Sequence, residues 1–310
     1  MRLLLTAYGN EKQEDKGIIE IVYDEKENIL DKKRIISLQG KCNLVGEKDS
    51  EIILCEELEG KNLLKFYDSK SYELKKTLET GYIYNYMQIF DDYILFASFK
   101  SGVDALFDRK ENRIIKEVVH ERDGKQSGRS HYIRQLKDGR VVSVENGLNQ
   151  IYLYRNKDLE IENVIDFEEK NIRLMNFADE EKTVFLNTEV SNELLVLDGK
   201  DFHLKQSLKL TEDEKSFSGG HVVSDDGRYD FVGIRGEDTL AVFENRNGEV
   251  SLLEKIPCGK TPRDLYWLEG CLFASCTGEN AVEVYKMEEA GLKKMTCVEV
   301  YQPITFEIRS

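Results

Sequence analysis

A histidine, a glutamate and three arginines are the side chains of this sequence best suited to acid–base work on a small anion. An imidazole titrates near neutral pH and can accept or pass on a proton, and a carboxylate can orient that imidazole or act as the base itself. A planar guanidinium holds a phosphate, a carboxylate or a developing oxyanion through two parallel hydrogen bonds. The five residues are His131, Arg173, Glu189, Arg235 and Arg263. Their chemistry would suit the hydrolysis of an ester, provided that the fold gathers them.

Seven copies of one sequence unit fill the chain and determine where these residues fall. Each copy has a short apolar run ending in an aromatic residue or a leucine, then a polar turn, then a second strand-like run. The copies are "GIIEIVYDEKENIL", "NLLKFYDSKSYEL", "GVDALFDRKENRI", "QIYLYRNKDLEI", "ELLVLDGKDFHL", "TLAVFENRNGEV" and "AVEVYKMEEAGL". Their matching positions are Tyr23, Tyr67, Phe107, Tyr154, Leu197, Phe243 and Tyr285. The period is therefore about 44 residues, which is typical of β-propeller blades.

The pattern within each copy predicts strands. Apolar residues alternate with polar ones, and β-branched and aromatic residues are frequent. Further hairpin signals, such as "LKDGRVV", "SDDGRYD" and "LEGCLFA", precede several copies, so each repeat is predicted to hold four antiparallel strands, A to D. We therefore expect an all-β, seven-bladed β-propeller that forms a single domain over residues 1–310. The lone strands "RLLLTAY" and "PITFEIR" at the two ends are expected to share one blade and close the ring.

The candidate residues occupy two positions of this repeat. Strands A and B run antiparallel, so the start of A and the end of B lie at the same end of the hairpin. Strand A lines the central channel of a propeller, and residues at these two positions are therefore predicted to share one mouth of it. His131, Arg173 and Arg263 stand at the start of a strand A, whereas Asn146, Glu189 and Arg235 stand at the end of a strand B or just after it. The substrate-binding candidates around them are Arg129, Glu145, Asn146, His221 and Arg263.

Composition limits the partners that such a site would have. The chain carries 44 basic and 59 acidic side chains, for a net charge of −15, whereas binding to nucleic acid needs a basic face. A local arginine group can still hold a small anion, because salt screens the remaining charge beyond about 8 Å. No apolar run is long enough for a signal peptide or a membrane span, and the six cysteines lack zinc-ligand spacing. We expect a cytoplasmic protein with a small anionic substrate and no metal, cofactor, nucleic-acid or membrane partner.

Several of these segments resemble a known family. "DGRYDFVGIRGEDTLAVF" is similar to a blade hairpin of the lactonase family of seven-bladed propellers, in which an arginine follows strand B, and "TPRDLYW" resembles that family's Pro-Arg turn. The family includes bacterial 6-phosphogluconolactonases and fungal carboxy-muconate lactonizing enzymes. The resemblance implies an active-site set of a histidine, an arginine, a glutamate and a second arginine, which match His131, Arg173, Glu189 and Arg235.

Three positions depart from the family's pattern. Arg129 stands where the family often has the first histidine of an H-x-H pair, Glu145 replaces an aspartate, and Ile172 replaces a proline. Because the changes fall beside the matched residues and leave the strand pattern intact, they bear on the substrate more than on the fold.

The resemblance implies hydrolysis of a sugar lactone, with 6-phosphogluconolactone as the leading candidate. The general base would be His131 or Glu189, between which the sequence does not decide, and Arg173 and Arg235 would hold the phosphate or the oxyanion. One alternative is a lactonizing cycloisomerase that uses the same residues on a dicarboxylic acid. Another is a non-catalytic propeller that binds a protein or peptide, because a fold alone does not imply chemistry. Such a binder would show an exposed apolar rim.

Overall fold

Short strands joined by tight turns account for nearly all of the regular structure. The computed structural model describes residues 1–126, 128–168 and 170–308, and within them the strands form seven four-stranded sheets and one two-stranded hairpin. Several turns place two consecutive residues at positive φ, as at Asn247–Gly248 and Glu269–Gly270. Two positive φ values are the geometry of the hairpin turns whose twist matches that of antiparallel strands. The four-stranded sheets are the blades of a seven-bladed β-propeller, as predicted.

The chain divides into two compact units, and the first holds four of the blades. Unit 1 comprises Met1–Ser37 and Leu174–Phe306. One of its blades joins both ends of the chain, because Leu5 pairs with Phe306 and Thr6 with Thr305, which confirms the predicted shared blade. In spatial order, this blade contains β3 (Ile29–Ser37), β2 (Gly17–Asp24), β1 (Arg2–Ala7) and β30 (Pro303–Phe306).

The other three blades of unit 1 follow one another along the sequence. A single turn of 3₁₀ helix, Asp179–Glu181, links the first two strands of the first of them. That blade contains β18 (Ile172–Ala178), β19 (Thr183–Thr188), β20 (Glu193–Asp198) and β21 (Leu204–Lys209). The next two contain β22 (Phe217–Val223), β23 (Tyr229–Arg235), β24 (Thr239–Arg246) and β25 (Glu249–Pro257), and then β26 (Pro262–Leu268), β27 (Cys271–Cys276), β28 (Ala281–Glu288) and β29 (Gly291–Glu299).

Unit 2 holds the remaining three blades. It comprises Leu38–Arg173 together with the described C-terminal residues Glu307 and Ile308. Its first two blades contain β4 (Lys41–Lys48), β5 (Glu51–Leu58), β6 (Lys61–Asp68) and β7 (Leu74–Thr80), and β8 (Tyr86–Ile89), β9 (Tyr93–Ser98), β10 (Val103–Asp108) and β11 (Arg113–Val119). The short hairpin of β12 (Glu121–Arg122) and β13 (Lys125–Gln126) precedes a blade of β14 (Ser130–Gln135), β15 (Val141–Glu145), β16 (Gln150–Tyr154) and β17 (Ile161–Asp166).

Burial follows the order of strands within each blade. The second strand is buried along its length in β15 and β27, whereas most residues of the fourth strand are exposed or half-buried in β7 and β29. Apolar layers lie between successive blades of a unit; one of them packs Phe185 against Val232 and Phe243 in unit 1. The inner strands of successive blades within a unit thus pack face to face through these apolar layers, as sheet-on-sheet packing requires. Within the described residues, no helix is long and apolar enough to cross a membrane.

Candidate active site

An extra residue interrupts the pairing at the start of the first strand in two of the candidate blades. Ser130 pairs with Glu145 and Tyr132 with Val144, so His131 is the extra residue between two ladder pairs. Pro262 pairs with Cys276 and Asp264 with Ser275, which places Arg263 in the same situation. A β-bulge of this kind bends the strand and re-aims the side chain of the extra residue. His131 and Arg263 therefore occupy equivalent positions in their blades, as the repeat spacing predicted.

Glu189 and Arg235 form an ion pair at the ends of two strands of unit 1. Glu189 follows the last residue of β19, and Arg235 is the last residue of β23. Nη2 of Arg235 donates to Oε1 of Glu189 over 2.6 Å and to the carbonyl oxygen of Ser218 over 2.7 Å. The side chains of Glu189 and Arg235 are 24% and 20% exposed. The pair is therefore half-buried and reachable from solvent, which suits a carboxylate and a guanidinium that act on a ligand.

A glycine makes room for the aliphatic part of Arg235. A Cβ atom on Gly219 would lie 3.2 Å from Cγ of Arg235, 3.3 Å from its Cδ and 2.3 Å from the carbonyl oxygen of Pro262. The backbone at Gly219 is also fixed from the other side, because Asn187 Nδ2 donates to its carbonyl oxygen over 3.2 Å. Strand β22 therefore has no space for a side chain at position 219, where it passes close to Arg235.

The candidates of unit 2 lie near the entry to β14 and β18. The ring of His131 is half-buried and meets the ring of Phe99 edge-on, with 5.1 Å between the centroids. Arg129 is exposed, and its Nη1 lies 3.5 Å from Oδ1 of Asn146. Asn146 is buried, and its Nδ2 donates to the carbonyl oxygens of Asn171 and Ile172 over 3.1 and 3.0 Å. Asn146 therefore holds the chain that leads directly into Arg173, which is 8% exposed.

Glu145 is wholly buried and bound to protein groups. Its Oε1 accepts a hydrogen bond from the backbone N–H of Gly147 over 2.9 Å, and its Oε2 lies 3.3 Å from Nδ1 of His120. His120 is also fully buried, although nothing in the repeat pattern singled it out. The one signal in the sequence was Asp104, a carboxylate inside the apolar run "GVDALF", because a buried charge must be paired.

His221 is likewise enclosed by the fold. Its side chain is 0% exposed, and its Nε2 lies 2.8 Å from Oδ1 of Asp230, while its Nδ1 lies 3.3 Å from the carbonyl oxygen of Leu174. Burial raises the pKa of Asp230, an effect that the neighbouring His221 opposes. His221 thus ties β22 to β23 and to β18, and it presents no surface to a ligand.

The structure brings together some predicted residues within each unit. In unit 1 it joins Glu189 to Arg235. In unit 2 it joins Arg129 to Asn146, and Asn146 to the chain just before Arg173. His131 and Arg263 share a bulge position in blades that belong to different units.

Among the described residues, one cluster of side chains is of the types that can bind a metal ion, and none of its members is a candidate named above. Asp198, Asp201 and His203 have ligand atoms within 4.8 Å of one another at the turn between β20 and β21. Those atoms already serve the turn itself, because His203 Nδ1 is 2.6 Å from Asp201 Oδ1, and Lys205 Nζ is 2.6 Å from Asp198 Oδ2. The cluster is a hydrogen-bonded hairpin end.

The sequence matches a family whose fold is the one observed. A family model described as lactonase, 7-bladed beta-propeller, matches residues 10–304. The 6-phosphogluconolactonase of Bacillus subtilis (strain 168) is 28% identical over 211 residues, which cover 60% of this chain and 60% of that protein. The match therefore spans less than two thirds of that relative's length.

Solved structures repeat the architecture at low sequence identity. A putative 6-phosphogluconolactonase from Bacteroides uniformis ATCC 8492 superposes with a TM-score of 0.85 at 18% identity, covering 99% of this chain and 98% of the other. The periplasmic gluconolactonase of Pseudomonas aeruginosa superposes with a TM-score of 0.85 at 16% identity, covering 100% and 99%. At these identities the likeness establishes the fold. The family model, which spans nearly the whole chain, establishes more: this chain belongs to the lactonase family of seven-bladed β-propellers.

Proposed function

We propose that this chain hydrolyses a sugar lactone. The observation that carries the proposal is the half-buried ion pair between Glu189 and Arg235, in a chain of the lactonase family. A carboxylate and a guanidinium are groups that ester hydrolysis uses to move protons and to stabilise negative charge. The two residues stand at the ends of equivalent strands in successive blades of unit 1, which supports a shared task.

Opening the lactone requires a general base and groups that stabilise negative charge. His131 takes a proton from water as the water oxygen attacks the carbonyl carbon of the lactone. The bond from that carbon to the ring oxygen then breaks, and the ring oxygen receives a proton from the imidazolium, which leaves a hydroxy acid. Arg173 stabilises the negative charge that develops on the carbonyl oxygen. We do not assign the base to Glu189, because its carboxylate is bound by Arg235 and is therefore less available to accept a proton.

The substrate that we propose is 6-phosphogluconolactone, which is converted to 6-phosphogluconate. The relatives that carry the name 6-phosphogluconolactonase support this substrate. Arg235 and Arg263, neither of which is fully buried, are the guanidiniums of unit 1 that we assign to its phosphate, and the exposed Arg129 stays a prediction of the sequence. Glu145, Asn146 and His221 are buried and hydrogen-bonded to protein groups, so we assign them to support of the site and not to contact with substrate.

The test is timed hydrolysis of freshly made 6-phosphoglucono-δ-lactone, with the spontaneous rate subtracted. We expect the wild type to exceed the spontaneous rate and Glu189→Gln to lose most of that excess. If the protein accelerates the hydrolysis of glucono-δ-lactone but not that of the phosphorylated lactone, lactone hydrolysis stays assigned and recognition of the phosphate does not. Cyclisation of a dicarboxylic acid without hydrolysis of either lactone would establish the cycloisomerase instead, and no acceleration of any of these reactions would favour a binding protein.

We also propose the cytoplasm as the site of action. All six cysteines are free thiols, and Cys42, Cys55, Cys271 and Cys276 are buried. Structural disulfides are typical of oxidising compartments, whereas free thiols are typical of reducing ones. Fractionation of the cells that produce the protein tests the proposal, and recovery from the periplasm, where the name of one structural neighbour places that protein, would overturn it.

A further inference from the structure

A buried polar cluster joins two blades of unit 2 beside the entry to β14. Asp104 in β10 and His120 after β11 come from one blade, and Ser130, Glu145 and Tyr154 come from the next. All five residues are 0% exposed. Buried charges and hydroxyls are costly unless each finds a partner, so their presence between two apolar blades calls for a physical reason.

His120 lies at the centre of this cluster, and four surrounding side chains contact its ring. Its Nε2 lies 2.8 Å from the hydroxyl of Tyr154 and 3.1 Å from Oδ2 of Asp104, and its Nδ1 lies 3.3 Å from Oε2 of Glu145. The ring of Tyr152 stacks on the imidazole at 3.9 Å between centroids and 12° between planes. Burial lowers the pKa of His120, but the charges and hydrogen bonds of Asp104 and Glu145 outweigh it and raise the pKa to about 9. The imidazolium therefore lies between two carboxylates at neutral pH.

One arm of the cluster leads to His131. Oδ1 of Asp104 accepts a hydrogen bond from the hydroxyl of Ser130 over 2.6 Å, and Oδ2 accepts one from the hydroxyl of Tyr154 over 2.7 Å. Ser130 is the residue immediately before His131, which is the extra residue of the bulge. The extra residue of a bulge lies outside the regular ladder, and the anchor on Ser130 fixes the backbone from which the side chain of His131 projects.

The other arm leads to Arg173. The carboxylate of Glu145 is fixed between His120 and the N–H of Gly147, and the next residue, Asn146, donates its backbone N–H to the carbonyl oxygen of Arg129 over 2.9 Å. The side-chain amide of Asn146 then holds the carbonyl oxygens of Asn171 and Ile172. Glu145 and Asn146 thus connect the cluster to the chain just before Arg173.

We propose that His120, acting through Asp104 and Glu145, is a positioning residue for His131 and Arg173. The proposal rests on the proposed function, in which these two residues act on the lactone. The cluster supplies no group to the substrate. It fixes the backbone immediately before each of the two residues that do, and a misplacement of about 1 Å can cost on the order of 10²-fold in rate.

The test removes single anchors and leaves the centre of the cluster in place, because replacement of His120 or Asp104 would remove several hydrogen bonds of the cluster at once. Ser130→Ala deletes the bond to Asp104, whereas Ser143→Ala is the matched control, since the hydroxyl of Ser143 lies 3.2 Å from that of Ser130 and its loss leaves the bond to Asp104 in place. We expect kcat/KM of Ser130→Ala to fall by about 10- to 100-fold and the acid limb of its pH–rate profile to shift, while Ser143→Ala keeps the wild-type profile. Wild-type values of both quantities in Ser130→Ala would overturn the proposal.

A second readout does not depend on turnover. The imidazole proton resonance of His131, assigned with His131→Gln, reports its surroundings by nuclear magnetic resonance. We expect its shift and titration midpoint to change in Ser130→Ala and to stay unchanged in Ser143→Ala. If the wild type hydrolyses no lactone, the proposed function fails, and an unchanged resonance in Ser130→Ala separately overturns the positioning of His131.

The arm toward Arg173 has its own variant and control. Asn146→Ala removes both bonds to the chain before Arg173, and Asn163→Ala removes an exposed amide in β17 of the same blade. We expect the side-chain Nε–H resonance of Arg173, assigned with Arg173→Lys, to move in the first variant only, and KM for the lactone to rise about tenfold there. An unmoved resonance together with an unchanged KM in Asn146→Ala would overturn this arm.

Discussion

Arg235 donates a hydrogen bond to Glu189 over 2.6 Å, although 46 residues separate them in the sequence. Their side chains are 20% and 24% exposed, and ion pairs that remain in contact with water typically contribute only about 0–1 kcal/mol to the free energy of unfolding. Stability alone gives little reason to keep a carboxylate and a guanidinium together at the ends of two strands. The pair is therefore the best place to separate activity from stability by mutation.

Replacement of Arg235 by lysine is expected to abolish most of the activity and leave the fold intact. Lysine keeps the positive charge but loses the planar guanidinium, whose Nη2 donates to both Glu189 and the carbonyl oxygen of Ser218. We expect kcat/KM for lactone hydrolysis to fall by about 10- to 100-fold, because a hydrogen bond to a charged group typically contributes about 1.5–3 kcal/mol, with a change of at most about 1 kcal/mol in the free energy of unfolding. Steady-state kinetics and urea unfolding of the same preparation measure the two quantities.

Arg246→Lys is the matched control for that variant. Arg246 also pairs with a carboxylate in unit 1, Glu244, at 2.8 Å, but its side chain is 76% exposed and lies at the end of β24. Its replacement is expected to change neither kcat/KM nor the free energy of unfolding measurably. Equal losses of activity in Arg235→Lys and Arg246→Lys would remove the special role of the Glu189–Arg235 pair.

Gly219→Ala is expected to damage both stability and activity. The added methyl group would lie 2.3 Å from the carbonyl oxygen of Pro262 and 3.2 Å from Cγ of Arg235, so either the strand or the guanidinium must move. Forcing a group into packed surroundings typically costs about 1–3 kcal/mol. Thermal unfolding measures the first effect, and kcat/KM measures the displacement of Arg235.

Gly81→Ala tests whether the effect at Gly219 is steric. The nearest atom to a Cβ on Gly81 is Oε1 of Glu117 at 3.9 Å, so the methyl group fits there. Stability is expected to stay the same or to rise by up to about 1 kcal/mol, because alanine restricts the unfolded chain. A loss at Gly81 as large as the loss at Gly219 would show that the chain tolerates no alanine at either glycine, and close packing would not explain the result.

The blades could be predicted from the sequence because each blade repeats the same pattern of apolar and polar residues. Tyr154 and Phe243 end equivalent apolar runs, and both lie fully buried in the third strand of a blade. The spacing placed His131 and Arg263 at the start of a first strand, where the pairing shows that each is the extra residue of a bulge. Residues 1–310 as a single domain, and the roles of the site residues, stay predictions.

Burial at the end of the second strand could not be predicted in the same way. Glu145 and Glu189 stand at almost the same repeat position, yet Glu145 is fully buried and Glu189 is half-buried. The difference arises because His120 from the preceding blade covers Glu145, and a repeat pattern does not contain contacts between blades. His120 itself is buried although it follows β11, whose residues are exposed or half-buried, so the repeat pattern gave no indication of its burial.

The charge on His120 makes stability depend on pH with a definite sign. Although burial opposes the charged form, Asp104 and Glu145 raise the pKa to about 9 in the folded protein, whereas an unfolded histidine titrates near about 6.5. The stabilisation from its proton is therefore complete below about pH 6.5 and is lost as pH rises through about 9, at no more than about 1.4 kcal/mol per pH unit. We expect the difference in unfolding free energy between wild type and His120→Gln to narrow over this range in urea titrations. A difference that stays constant would mean that His120 is neutral in the folded protein.

The thiols are expected to react in an order that burial sets. Cys297 is exposed, whereas Cys42 is buried, and burial raises the pKa of its thiol to about 12. Because the thiolate is the reactive form, an aromatic disulfide reagent should modify Cys297 quickly in the native protein and Cys42 only after denaturation. The absorbance of the released thiol follows the reaction, and mass spectrometry identifies the site. Cys297→Ser should lose the fast phase, and rapid native labelling of Cys42 would show that the structure around β4 opens on the timescale of the experiment.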